Sequence, residues 1–145
     1  MNPVVIIPTF HTGRRHRPGS NAVATYDHAT PLNEPGELDR CLTSLEKVDD
    51  LGLVVVLVSA EAAISRQAEE KVRAIVAAHP QLNVMVVGQD ALALIRQRME
   101  QLNVGKLDYE IGLSGYGATR NVGLVVASVL GFDAAVFIDD DEVID

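Results

Sequence analysis

Four runs of bare apolar residues constrain this chain more than any other feature. They fall at 4–7, 53–58, 84–87 and 134–138. None alternates with polar residues, so each reads as a strand covered on both faces, the pattern of a parallel sheet between helical layers. The intervening segments supply the helices. Leu38, Cys41, Leu42, Leu45 and Val48 recur at three- and four-residue spacing, as do Ile64, Ala68, Val72, Ile75 and Val76. A third stripe holds Leu92, Ile95, Met99 and Leu102, and a fourth Val122, Val125, Val126, Val129 and Leu130. Pro80 and Gly131 stop the second and fourth helices, Gly88 releases the third strand, and Asp90 is placed to cap the helix that follows. Residues 103–113 read as a loop with a short strand near 109–111. The expected fold is α/β, a Rossmann-like layered domain with a mainly parallel sheet flanked by helices.

A chain of 145 residues, 48% hydrophobic, is one domain with a sizeable core. A net charge of -8, few aromatics and no Trp oppose a nucleic-acid role, which needs a basic footprint and stacking surfaces. The single cysteine, Cys41, excludes an intrachain disulfide framework and a Cys-rich zinc site, and its place on an apolar helix face reads as a buried structural thiol. The N-terminus lacks the basic start and long apolar run of a signal peptide. No segment approaches the roughly 20 apolar residues of a transmembrane helix, so the default expectation is a cytoplasmic protein. Homo-oligomer formation is left open.

Residues 11–35 read as an irregular loop, rich in Gly, Pro, Asn and Ser. His11-Thr12-Gly13-Arg14-Arg15-His16-Arg17 is the one dense basic stretch. It fits either an approach to a phosphate or acceptor, or a solvated loop. His11 and His16 are not spaced as ligands on one helical face, so a zinc site gains little support.

The chemistry concentrates where strands end. Phe137-Ile138-Asp139-Asp140-Asp141-Glu142 delivers carboxylates to the tip of the last strand. In an extended segment Asp139 and Asp141 project together and Asp140 the other way. Such a pair suits a hard divalent cation, Mn2+ or Mg2+, that shares oxygens with phosphate; the competing reading is a frayed acidic chain end. Thr9 and Phe10 follow the first strand, and Ser59 and Glu61 the second. Gly115-Tyr116-Gly117-Ala118-Thr119-Arg120-Asn121-Val122-Gly123 opens the last helix with backbone N–H groups and a guanidinium suited to an anion, and Asn121 is placed to tie the loop down. In open parallel sheets, ligands bind outside the carboxyl ends of the strands, where strand order reverses.

Three motifs in this order resemble the GT-A glycosyltransferases, most closely the family 2 nucleotide-sugar transferases. Ile6-Ile7-Pro8-Thr9-Phe10 is similar to the family's apolar strand followed by Pro-Thr-aromatic. Gly117-Ala118-Thr119-Arg120-Asn121-Val122-Gly123 resembles its helix start, with Thr119 where the family usually has Ala. Val136-Phe137-Ile138-Asp139-Asp140-Asp141-Glu142 resembles its strand-borne Asp-x-Asp, and the helix beginning at Leu38 fits its first helix.

The resemblance implies a site for a nucleoside-diphosphate sugar, UDP- or GDP-linked, formed by Pro8, Thr9, Phe10, Glu61, Gly117, Arg120, Asn121, Asp139 and Asp140. It implies Mn2+ or Mg2+ on Asp141 with help from Asp139, and inverting transfer to an unknown acceptor. Ser59-Ala60-Glu61 stands where the family usually places an Asp for the nucleotide. The chain also ends shortly after the metal motif, so residues 1–145 are expected to be the nucleotide-binding half of a longer protein whose catalytic base lies beyond. A sugar-phosphate nucleotidyltransferase and a non-catalytic nucleotide-binding or interaction module are the alternatives. The former should carry a Gly-rich basic loop directly after the first strand, where Pro8-Thr9-Phe10-His11-Thr12-Gly13-Arg14-Arg15 has only one glycine.

Overall fold

A computed structural model of the chain describes residues 1–13 and 29–145. Most of the basic loop, including Arg14, Arg15, His16 and Arg17, therefore lies outside the described residues. The four apolar runs all form strands: β1 (Pro3–Thr12), β3 (Leu53–Ala60), β4 (Asn83–Val87) and β5 (Ala134–Phe137), joined by a two-residue β2 (Thr30–Pro31). The helices are α1 (Leu38–Leu45), α2 (Ser65–Ala77), α3 (Gln89–Gln101) and α4 (Tyr116–Val129), with 3₁₀ turns at Ala62–Ile64 and Gly105–Glu110. Every strand pair is parallel.

The period of two along the strands divides the core. Val54, Val56 and Val58 of β3 face α1 and α2, with Ile7, Leu42 and Val72. Val55 and Leu57 face α3 and α4, with Ile6, Leu92 and Val122. All of these side chains are almost fully withdrawn from water, as strands covered on both faces require.

β1 is the centre of the sheet, paired along one edge with β3, which in turn pairs with β4. Its other edge is shared. β5 pairs with residues 3–6 and β2 with His11 and Thr12, so among the described residues no strand pairs with residues 7–10 along that edge. The chain therefore lays down β1, β3 and β4 outward in one direction and then returns to place β5 on the opposite side of β1. Strand order reverses between β1 and β5. Pro8 fits this edge: the Ile6 carbonyl accepts from the Ile138 N–H on the β5 side. Two residues on, Pro8 faces the same way, where β5 has already ended, so its missing N–H breaks no ladder bond.

Some boundaries differ from the sequence pattern. β1 runs past the aliphatic residues through Thr9, His11 and Thr12, so residues 11 and 12 belong to a strand rather than to an irregular loop. Residues near Tyr109 form a 3₁₀ turn rather than a strand. Asp90 lies inside the first turn of α3, whose cap position is Gly88. The Gln89 N–H donates instead to Glu69 of α2 at 2.8 Å. Among the described residues, no helix is long and apolar enough to cross a membrane.

Candidate functional site at the switch point

Four of the residues singled out in the sequence, Thr9, Arg120, Asp139 and Asp140, meet at the carboxyl ends of β1 and β5. Thr9, buried in β1, donates its hydroxyl to Asp140 Oδ2 at 2.5 Å. Asp139 points elsewhere: its Oδ1 accepts from Arg120 of α4 at 2.9 Å. The Arg120 guanidinium lies over the Tyr116 ring, 3.9 Å from its centroid, and 5.4 Å from the centroid of Phe137. Cation–π contact on two rings holds a planar cation flat. Its Nε has no hydrogen-bond partner among the described residues.

After β5 the chain does not stay extended. The Glu142 N–H donates to the Asp139 carbonyl at 3.1 Å, and the Asp139 N–H donates back to Glu142 Oε2 at 2.9 Å. Residues 139–142 thus form a closed turn, so strand alternation does not set where Asp139 and Asp141 point. The Asp141 carbonyl accepts from Arg40 of α1 at 3.2 Å, and the Ile144 N–H donates to Ser44 Oγ at 3.0 Å, pinning the chain's end along α1. Burial, together with the neighbouring Asp141 and Asp139 charges, pushes the Asp140 carboxyl up to about 6 against the opposing pull of the Thr9 hydrogen bond.

The other candidate residues divide between scaffold and open surface. Asn121 donates to the Glu110 carbonyl at 2.8 Å, tying α4 to the 3₁₀ turn before it. Glu61 is exposed at the tip of β3, yet it accepts from Thr12 Oγ1 at 2.9 Å and from the Gly13 N–H at 3.4 Å, so it brackets the end of β1. Gly117 leaves open space where a side chain would stand. Gly115, at φ 98°, makes the turn into α4. Phe10 is half-buried at the end of β1.

Two residues matter here that the motifs did not assign. Ser59, fully buried, donates to the Leu113 carbonyl at 2.8 Å and so fixes the segment that leads into α4. His11, also buried, lies 3.2 Å from Thr9 Oγ1 through Nε2. Burial first, and then the Lys71 charge, lower it to about 4. A polar residue at every second position after an aliphatic strand was the available signal for His11. A bond to a carbonyl 54 residues away left no local signal for Ser59.

The donor chemistry of Asp139, Asp141 and Glu142 is all-oxygen and suits Mn2+ or Mg2+. Among the described residues, no three His, Cys, Asp or Glu side chains converge to hold a metal ion. A surface crevice of about 460 Å³ lies elsewhere, between the starts of α2 and α3, and is lined by Arg66, Glu69, Arg73 and Asp90 among others. Its charges of both signs largely pair with one another. Compared with protein-family models, curated proteins and solved structures, the chain matches none.

Proposed function

We propose that this chain is the donor-binding domain of a GT-A-type glycosyltransferase, similar to family 2, which binds a UDP- or GDP-linked sugar with Mn2+ or Mg2+. One observation carries the reading: Thr9, Arg120, Asp139 and Asp140 meet where β1 and β5 diverge, the position at which open parallel sheets take their ligands. Arg120 adds to it, because a guanidinium presents several N–H donors suited to diphosphate oxygens.

In this reading Pro8, Thr9 and Phe10 border the base, Glu61 stands at the ribose side, and Gly117 lets the diphosphate approach the start of α4. Asn121 keeps that helix start in place. Asp139 and Asp141 would hold the cation. When bound, it would supply positive charge to the departing nucleoside diphosphate. Arg120 contributes a second cation on the same side and must exchange Asp139 for phosphate. The acceptor and its activating base belong to the part of the site for which residues 1–145 give no candidate.

The test is calorimetric titration of UDP, GDP and their sugar conjugates with and without Mn2+, repeated on Asp141→Ala. Metal-dependent binding that weakens by at least about tenfold in the variant supports the reading, one lost contact being worth about 1.4 kcal/mol. Absence of binding under every condition overturns it. Formation of a sugar nucleotide from NTP and sugar phosphate would favour a nucleotidyltransferase.

A further inference from the structure

The end of β1 holds a buried group that the nucleotide reading leaves unused. His11 is 1% exposed, its Nε2 lies 3.2 Å from Thr9 Oγ1, and its Nδ1 has no hydrogen-bond partner among the described residues. A buried ring nitrogen without a partner is uncommon and calls for a reason. An apolar side chain would fill the same space without that penalty.

The reason follows from counting hydrogens. The Thr9 hydroxyl has one, and it goes to Asp140 Oδ2, since an ionised carboxylate only accepts. Thr9 Oγ1 must then accept from His11, which puts the ring proton on Nε2 and leaves Nδ1 as a bare lone pair. Lys71, the cation acting on the ring, opposes a second proton there. Its ammonium is itself held by the carbonyls of Pro31 and Glu34.

We propose that His11 is a positioning residue: its Nε2–H satisfies the Thr9 oxygen, commits the single hydroxyl hydrogen to Asp140, and so holds that carboxylate against β1 while Asp139 turns to Arg120. The neighbouring carboxylates are thereby kept apart, one against Thr9 of β1 and one against Arg120 of α4. The consequence for ligand binding rests on the nucleotide reading above. The hydrogen-bond direction does not.

The first measurement is the ring 15N spectrum of the wild-type protein at pH 7, expected to show a protonated Nε2 and a bare Nδ1. A slowly exchanging Thr9 hydroxyl proton should accompany it. His11→Gln keeps a donor at the Nε2 position and should retain that resonance, whereas His11→Leu should lose it. Titrated with Mn2+ and UDP or GDP, folded His11→Leu should bind about tenfold more weakly and His11→Gln within about threefold of wild type, the scale of one hydrogen bond. Circular dichroism checks that each variant is folded. An Nδ1–H ring, an imidazolium at pH 7, or unchanged hydroxyl exchange in folded His11→Leu overturns the proposal. Should wild type bind neither nucleotide, the donor-site reading fails, and the ring and hydroxyl spectra still decide the role of His11.

Discussion

Cys41 sits on α1 beneath the acidic turn, its Sγ 3.9 Å from the Asp139 carbonyl. Burial, and then the charges of Asp140, Glu142 and Asp141, push the thiol up to about 12. Only the thiolate is nucleophilic, and at pH 8 its share would be on the order of one in ten thousand. The native protein should therefore resist iodoacetamide at pH 8, while the chain in urea is alkylated quickly. Intact mass after timed quenching checks this, and native labelling at the unfolded rate would show that the turn does not cover the thiol. His79 is the second buried residue with a specific bearing. Its Nδ1 lies 2.5 Å from Glu46 and its Nε2 3.1 Å from Asp39, so the segment after α2 grips α1 at two points. Replacing His79 by Ala removes both contacts and leaves a void. It should lower unfolding free energy by about 2–3 kcal/mol in urea titration.

At the scale of elements, α4 lies on the sheet at a distance that one glycine sets. A Cβ at Gly123 would stand 3.0 Å from Ile6 Cγ2 and 3.1 Å from Leu57 Cδ1, two of the most buried side chains. Gly123→Ala should push the helix outward and destabilise the fold by about 1–3 kcal/mol. Gly117, in the first turn of the same helix, has open space around it, so Gly117→Ala should be neutral or stabilising by up to about 1 kcal/mol. Urea midpoints of the two variants check the contrast; equal losses would mean that packing on β1 and β3 does not set the position of α4. Gly-x-x-x-x-x-Gly thus combines an open glycine with a packing glycine, a difference that the letters alone do not carry. The apolar strands and the inner parts of the helical stripes were legible because each is a local pattern imposed by burial, whereas the stripe ends Val48, Leu102, Val129 and Leu130 stand exposed. The cap of α3 was not, since Glu69 reaches Gln89 across two elements and its carboxylate occupies the space where a Gly88 side chain would stand. The 3₁₀ turn at Gly105–Glu110 was also hidden. It is held to α3 by the Arg96–Asp108 ion pair and by Arg96 on the Ile111 carbonyl, contacts that have no period.

For the whole molecule, the reversal of strand order around β1 brings Thr9, Arg120, Asp139 and Asp140 together at one candidate site, and only the tertiary pairing of β5 with β1 reveals which strand tips are neighbours. The same convergence couples the site to global stability through His11 and Asp140, joined by Thr9. The folded His11 titrates at about 4 against 6.5 ordinarily, so between those values the unfolded chain holds the extra proton. That contribution to stability is present above pH 6.5 and is lost as pH falls through 4. Asp140 acts oppositely: raised from 3.8 to about 6, it binds its proton more readily when folded, and stability is gained as pH falls across that interval. The two arms oppose each other over nearly one window, which should flatten their joint effect in the wild type. His11→Gln deletes the first arm and keeps the second. Between pH 7 and 4, the unfolding free energy of the variant should therefore move upward relative to wild type by on the order of 3 kcal/mol. Urea titrations of both proteins at half-unit pH steps read that difference directly. A gap that stays constant with pH would mean that His11 is protonated alike in the folded and unfolded chains, and that the end of β1 is open to water.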